Sequence, residues 1–181
     1  MEKKYAVLVV DMLNDFVTGA LKCDRGLAIV PKTAELLAGC RAKGVPVIFC
    51  NDAHLKDIDH ELGLWGDHAI AGTKGAEVIP ELALCDKDYV VPKRRYSGFF
   101  KTDLDLLLRE LGVNTVIMTG LHTHMCVRHT SADAYQHGYN VVVAKDATDA
   151  FTEQEYLYGL EYLKATYGAE ITDVDTLLAT L

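Results

Sequence analysis

Six short runs of apolar, β-favouring residues alternate along the chain with stretches of helical pattern, and this alternation limits the folds available to it. Residues 5–11 read Tyr-Ala-Val-Leu-Val-Val-Asp, and comparable runs recur at 45–51, 88–91, 115–119 and 139–144, with a shorter one at 170–171. None shows the polar and apolar alternation of a half-exposed strand, so these are expected to be strands buried on both faces. Helical stretches lie between them at 31–43, 102–111, 125–137 and 153–167, with a last one at 173–181. Gly44, Gly112, Gly138 and Gly168 directly follow the first four, where a left-handed helix cap is needed. Strand and helix in turn predict an α/β fold: three α-β-α layers around a mostly parallel, Rossmann-like sheet of six strands. The 181 residues fit a single domain, with no repeat or linker.

Composition excludes several classes of function. A net charge of −8, with acidic residues spread along the chain, argues against a nucleic-acid surface and for a small-molecule partner. The five cysteines, Cys23, Cys40, Cys50, Cys85 and Cys126, are scattered and form no C-x-x-C pair, as expected of free thiols in a cytoplasmic protein. The start, Met-Glu-Lys-Lys-Tyr, leads into an apolar run too short for a signal peptide or a membrane span.

In open parallel sheets ligands bind beyond the carboxyl ends of the strands. The residues at those ends are chemically rich here: Asp11 after the first run, Asn51-Asp52-Ala53-His54 after the second, Pro92-Lys93-Arg94-Arg95 after the third and Cys126 beyond the fourth. Met118-Thr-Gly-Leu-His-Thr-His-Met-Cys126 carries a strand through a glycine turn to a cysteine in the first turn of a helix, where unpaired amides favour a thiolate. A buried, inert cysteine is the alternative. Asp11, Lys93 and Cys126 together suffice for amide hydrolysis: a carboxylate moves the thiol proton, a lysine holds both anions, and the sulfur attacks the carbonyl, with amides near Cys126 as oxyanion hole. A catalytic Cys126 is expected to alkylate near neutral pH far faster than Cys40 or Cys50.

The long segment 53–74 is rich in His, Asp and Gly, and loops of that length tend to carry function. Its spacing Asp52-x-His54-x5-His60-x7-His68 suits a borderline divalent ion such as zinc, although loop histidines also occur simply solvated. His122-x-His124-x-Cys126 offers a second arrangement of metal ligands, which would make the cysteine a ligand and leave Asp11 and Lys93 without a role.

Asp11 with Phe16 five residues on, Asp52-x-His54, Trp65-x-x-His68, Lys93 ahead of Tyr96-Ser-Gly-Phe99, Gly120 with Cys126-Val127, Ala132-x-Ala134, and Asp146-Ala147 together resemble the isochorismatase-like cysteine hydrolases, in the family's order. The branch they resemble most is the nicotinamidases, also called pyrazinamidases. The resemblance implies an Asp11–Lys93–Cys126 triad, a thioester on Cys126, and an oxyanion hole from the amides of His122 and Cys126 across a cis Leu121–His122 peptide. It also implies a divalent metal, zinc first with iron or manganese as alternatives, on Asp52, His54 and His68, with His60 at a fourth ligand position. Phe16 and Trp65 would sandwich the substrate ring, and a homo-oligomer is expected. Isochorismatases that cleave a vinyl ether lack the cysteine, so Cys126 points to C–N hydrolysis, with nicotinamide going to nicotinate and ammonia in salvage towards NAD. Where nicotinamidases usually carry Ala-Thr-Asp this chain has His122-Thr123-His124, and its loop from His54 to His68 is compact. Those departures leave an amidase resembling N-carbamoylsarcosine amidohydrolases, or a non-catalytic metal- or ligand-binding protein, as alternatives.

Overall fold

The computed structural model describes residues 2–181 and is built on a six-stranded sheet in which every neighbouring pair is parallel. Its strands are β1 (Tyr5–Val10), β2 (Val47–Asp52), β3 (Tyr89–Lys93), β4 (Thr115–Leu121), β5 (Asn140–Asp149) and β6 (Glu170–Thr172), in the order β3-β2-β1-β4-β5-β6. The chain leaves β1 in one direction along the sheet and later returns to its other side. That reversal opens a crevice beyond the ends of β1 and β4.

Along β1, Val7 and Val9 face one core while Ala6, Leu8 and Val10 face the other, which is why the run shows no polar alternation. The first face is covered by α3 (Val30–Ala42) and α8 (Val174–Thr180), through Leu36, Leu37, Cys40, Val174 and Leu177. The second is covered by α5 (Leu104–Glu110), α6 (Cys126–Gln136) and α7 (Glu153–Tyr167), through Leu104, Leu108, Val127, Ala134 and Leu163. These are the three expected layers. α7 starts at a capping box, in which Thr152 Oγ1 accepts from the Glu155 N–H at 3.2 Å and Glu155 Oε2 accepts from the Thr152 N–H at 2.9 Å. Gly168, in the left-handed conformation, closes it.

Two short helices not expected from the sequence, α1 (Asn14–Val17) and α2 (Asp24–Ala28), lie between β1 and α3. The apolar run in β5 ends at Ala144, yet the strand continues through Lys145 and Asp146 to Asp149. Pairing explains this: β4 and β5 shift register between Met118 and Gly120 and resume at Gly120–Thr148 and Leu121–Asp149. Gly120 makes the shift possible, with φ at +99° and the place of a Cβ 2.0 Å from the Val10 carbonyl oxygen. Gly120→Ala is expected to cost roughly 2–4 kcal/mol in denaturant unfolding, because neither backbone can yield. A loss below about 0.5 kcal/mol would show that the turn re-forms without glycine.

Candidate active site and metal cluster

Asp11 follows β1 directly, in a left-handed conformation (φ +53°) rare for a residue with a side chain. That turn aims its carboxylate across the end of the sheet, where Oδ1 accepts the Asp52 N–H at 2.7 Å and Oδ2 meets Lys93 Nζ at 2.7 Å. Lys93, the last residue of β3 and in register with Asp52, also donates to Asp52 Oδ1 at 2.6 Å. Cys126 opens α6, and ligand-type atoms of Asp11, Asp52 and Cys126 all lie within 4.8 Å of one another. The three expected catalytic side chains therefore converge, and all are buried.

Burial opposes the charge on Lys93, but attraction to Asp11 and Asp52 outweighs it and holds the ammonium well above its usual range. Asp11 is pushed up to about 7, first by burial and then by the charge of Asp52, against the pull of Lys93. Burial above all pushes the Cys126 thiol up; Lys93 pulls it back, and Asp11 and Asp52 add to the rise. The helix start expected to favour a thiolate is present, but burial works against it and favours the protonated thiol, which a base must then deprotonate. Asp11 is positioned to be that base.

Three of the expected metal-binding residues, Asp52, His54 and His68, gather because segment 53–74 folds back on itself. His54 donates its N–H to Ala69 O at 2.9 Å and accepts from the Ala71 N–H at 2.9 Å, which brings His68 beside it. Asp52, His54, Glu61 and His68, all buried, place one ligand atom each within 4.8 Å of the others. His68 Nδ1 lies 2.8 Å from Gly66 O, a carbonyl that can only accept, so Nδ1 carries the proton and Nε2 is left free to act as a ligand. His54 Nδ1 lies 3.2 Å from Asp59 Oδ2, which frees its Nε2 in the same way. Arg94 holds Asp59 in place through Nε at 2.9 and 3.0 Å, and its guanidinium keeps the Asp59 carboxyl well below the usual range. Asp52 joins the two halves of the site, with Oδ1 on Lys93 and Oδ2 3.6 Å from His54 Nε2.

These residues fit a divalent ion. Among the described residues His54 Nε2 is buried without a hydrogen-bond partner, 3.6 Å from Asp52 Oδ2 and 3.9 Å from Glu61 Oε1. A tetrahedral ion with bonds of about 2.0–2.1 Å spaces its ligands about 3.4 Å apart, and two imidazoles with two carboxylates suit zinc or a similar ion.

His60 is not in this cluster. It is exposed, and its Nδ1 lies 3.0 Å from Arg95 Nη2, while the neighbouring Glu61 turns inward in its stead. α4 (Leu62–Trp65) begins here, and one step around the chain's turn decides which of the two side chains points in. His54→Ala is expected to lower metal affinity by about 10–100-fold, whereas His60→Ala leaves it unchanged, as read by metal analysis after dialysis. Equal losses in both variants would return His60 to the site. The arrangement His122-x-His124-x-Cys126 forms no ligand cluster among the described residues.

Phe16, Trp65, His122 and Cys126 line a cleft with about 280 Å³ of empty space, its open mouth included, and Asp52, Glu61 and His68 form one wall. Phe16 and Trp65, expected to face the substrate ring, both line this cleft. Phe151 does too, although no sequence argument singled it out: it packs on Trp65 (6.3 Å between ring centroids, 23° between planes) and on His122 (3.8 Å, 31°). Trp65 Nε1 donates to Tyr96 Oη at 3.0 Å, which fixes the indole at the rim. The Leu121–His122 peptide is cis.

A model of the isochorismatase domain matches residues 5–176. The chain belongs to the isochorismatase family. It is an isochorismatase-family hydrolase, and it resembles amidases within that family. The structure of an N-carbamoylsarcosine amidase from Thermoplasma acidophilum is 38% identical, covers 95% of this chain and 97% of its own, and superposes with a TM-score of 0.89. A pyrazinamidase of Pyrococcus horikoshii, solved in complex with zinc, is 33% identical over 94% of this chain and 99% of its own, with a TM-score of 0.87. Nicotinamidase 3 of Arabidopsis thaliana is 34% identical over 97% of this chain and 88% of its own length.

Proposed function

We propose that this isochorismatase-family protein is a metal-dependent cysteine amidohydrolase of small planar amides, with nicotinamide as the leading substrate and zinc as the leading metal. The observation that carries this reading is that Cys126 and three members of the ligand cluster, Asp52, Glu61 and His68, line one small cleft between aromatic walls. A flat heteroaromatic carboxamide matches that layout, with its ring nitrogen towards the cluster and its carbonyl towards the sulfur. When bound, the ion would supply a Lewis-acid contact that holds the ring.

The chain's own residues account for the bond changes. Asp11 takes the proton from Cys126 Sγ, and the sulfur adds to the carbonyl carbon. The N–H of Cys126, which as the first residue of α6 has no carbonyl of its own helix to donate to, stabilises the resulting oxyanion together with the N–H of His122. Asp11 returns its proton to the departing nitrogen, ammonia leaves, and a thioester remains. Water then adds to the thioester as Asp11 accepts one of its protons; the C–S bond breaks, and Cys126 recovers a proton as the acid departs. Lys93 keeps its charge throughout and offsets the negative charge passing between Asp11 and Cys126.

Ammonia release from nicotinamide by the purified, metal-analysed protein tests this reading. Cysteine-dependent turnover supports it. No release from a folded, metal-loaded sample would reject nicotinamide and favour carbamoyl amides, the second reading, to which the buried imidazole of His122 in the cleft lends support.

A further inference from the structure

Asp15 lies one residue before Phe16 in α1 and takes no part in the mechanism above, yet both of its carboxylate oxygens are engaged. Oδ2 accepts the N–H of Ala69, 54 residues away in the chain, at 2.8 Å, and Oδ1 accepts the Ala20 N–H at 3.2 Å. Its main-chain carbonyl accepts the Leu21 N–H at 2.8 Å. Asp15 thereby ties together the stretches that carry Phe16, Leu21 and His68, three residues of the cleft wall. Ala69 is the informative partner. It is fully buried, directly follows His68, and has φ at +43°, a left-handed conformation that a residue with a Cβ keeps only where its surroundings hold it. A charged acceptor makes one of the stronger hydrogen bonds open to a backbone N–H, and Asp15 supplies it at that strained point. The His68 ring is met from the same short helix, edge-on by Phe16 at 5.6 Å and 84°. Gly75 makes room for the carboxylate, because a Cβ there would overlap Oδ2.

We propose that Asp15 is a positioning residue for the metal cluster: by holding the Ala69 N–H it fixes the backbone turn after His68 and so sets that imidazole 4.8 Å, ring to ring, from His54. Ligands already held in place lose less freedom when an ion binds, and the partners that orient a ligand typically contribute about 10–100-fold to metal affinity. The proposal rests on the metal part of the reading above and concerns uptake of the ion alone, so it is tested without turnover.

The test titrates zinc, in competition with a chromophoric chelator, into the metal-free parent and its Asp15→Ala, Gly75→Ala and Asn14→Ala variants, at a temperature where circular dichroism shows each to be folded. Lower global stability does not change the affinity of protein that is already folded, so a merely structural role would leave this readout unmoved. Asp15→Ala is expected to weaken zinc binding by about 10–100-fold. Gly75→Ala reaches the same hydrogen bond from outside, since its methyl group displaces Oδ2 from Ala69 without altering a residue of the cluster, and is expected to weaken binding by about fivefold or more. Asn14→Ala is the control. Its Nδ2 donates to Lys74 O at 2.8 Å and Glu77 O at 3.2 Å, beside Gly75 but away from His68, and its loss is expected to leave the affinity as it is. An Asp15→Ala affinity within about fivefold of the parent, or an Asn14→Ala variant as weak as Asp15→Ala, overturns the proposal and leaves the cluster as the metal site. If Asp15→Ala does not fold, Gly75→Ala decides by the same threshold. A parent that binds none of zinc, iron and manganese rejects the metal reading itself, and the positioning role with it.

Discussion

Cys126→Ala is expected to reduce kcat/KM on any amide substrate by about 10⁴-fold or more while the fold and metal content stay as they are, since removing a covalent nucleophile has cost as much as 10⁶ in other hydrolases. The substitution removes one buried sulfur from the first residue of α6 and leaves Asp11, Lys93 and the metal cluster in place. Mass spectrometry of the parent protein under turnover should show an acyl adduct on Cys126 that the variant lacks. A variant retaining more than about a tenth of the activity would mean that water attacks the amide directly, with the sulfur a bystander. The charge pattern sharpens this expectation. Burial favours the protonated thiol, so its reactivity is expected to depend on Asp11 being ionised when substrate arrives, rather than on a standing thiolate.

Lys93→Ala is expected to lose about 3–5 kcal/mol of stability as well as most of the activity, because it leaves two buried carboxylates without their counter-charge. Asp11 and Asp52 are 0% and 1% exposed, and each has an oxygen within 2.7 Å of Lys93 Nζ. Without the ammonium, one of them must bind a proton to remain buried, and a protonated Asp11 can no longer accept the thiol hydrogen. Urea unfolding of the parent and the variant reads the first consequence, and thioester formation in a single turnover reads the second. Arg94→Ala is the informative neighbour. It breaks a pair at the protein's edge that braces Asp59 behind His54, so it should weaken metal binding more than it slows chemistry. If Arg94→Ala were the more damaging change to thioester formation, the roles of Lys93 and Arg94 would have to be exchanged.

Much of the site was readable because it sits at strand ends, and strand ends show in a sequence as apolar runs that stop at a charge. Asp11, Asp52 and Lys93 were found in that way, and Cys126 by its place at a helix start after the glycine turn that ends the fourth run. Phe151 was missed for the complementary reason: the apolar run of β5 stops at Ala144, but the strand extends through polar residues to Asp149, so its true end, and the ring just beyond it, carried no local signal. Glu61 was missed because its neighbour His60 is the better ligand by residue type, and the backbone turn leading into α4 selects between them.

The order of strands and helices, the burial of the sheet on both faces, and the supply of a thiol, a lysine and carboxylates to one edge of it are determined by the sequence alone, because periodicity and strand-end chemistry are local properties. Four features were decided only in the tertiary structure: the choice of Glu61 over His60, the burial that raises the Cys126 thiol, the sharing of Asp52 between the lysine and the candidate metal cluster, and the packing of His122 on Phe151. They depend on local backbone turns, on contacts between segments apart in the chain, or on the loss of water around charges, none of which a pattern of residue types encodes.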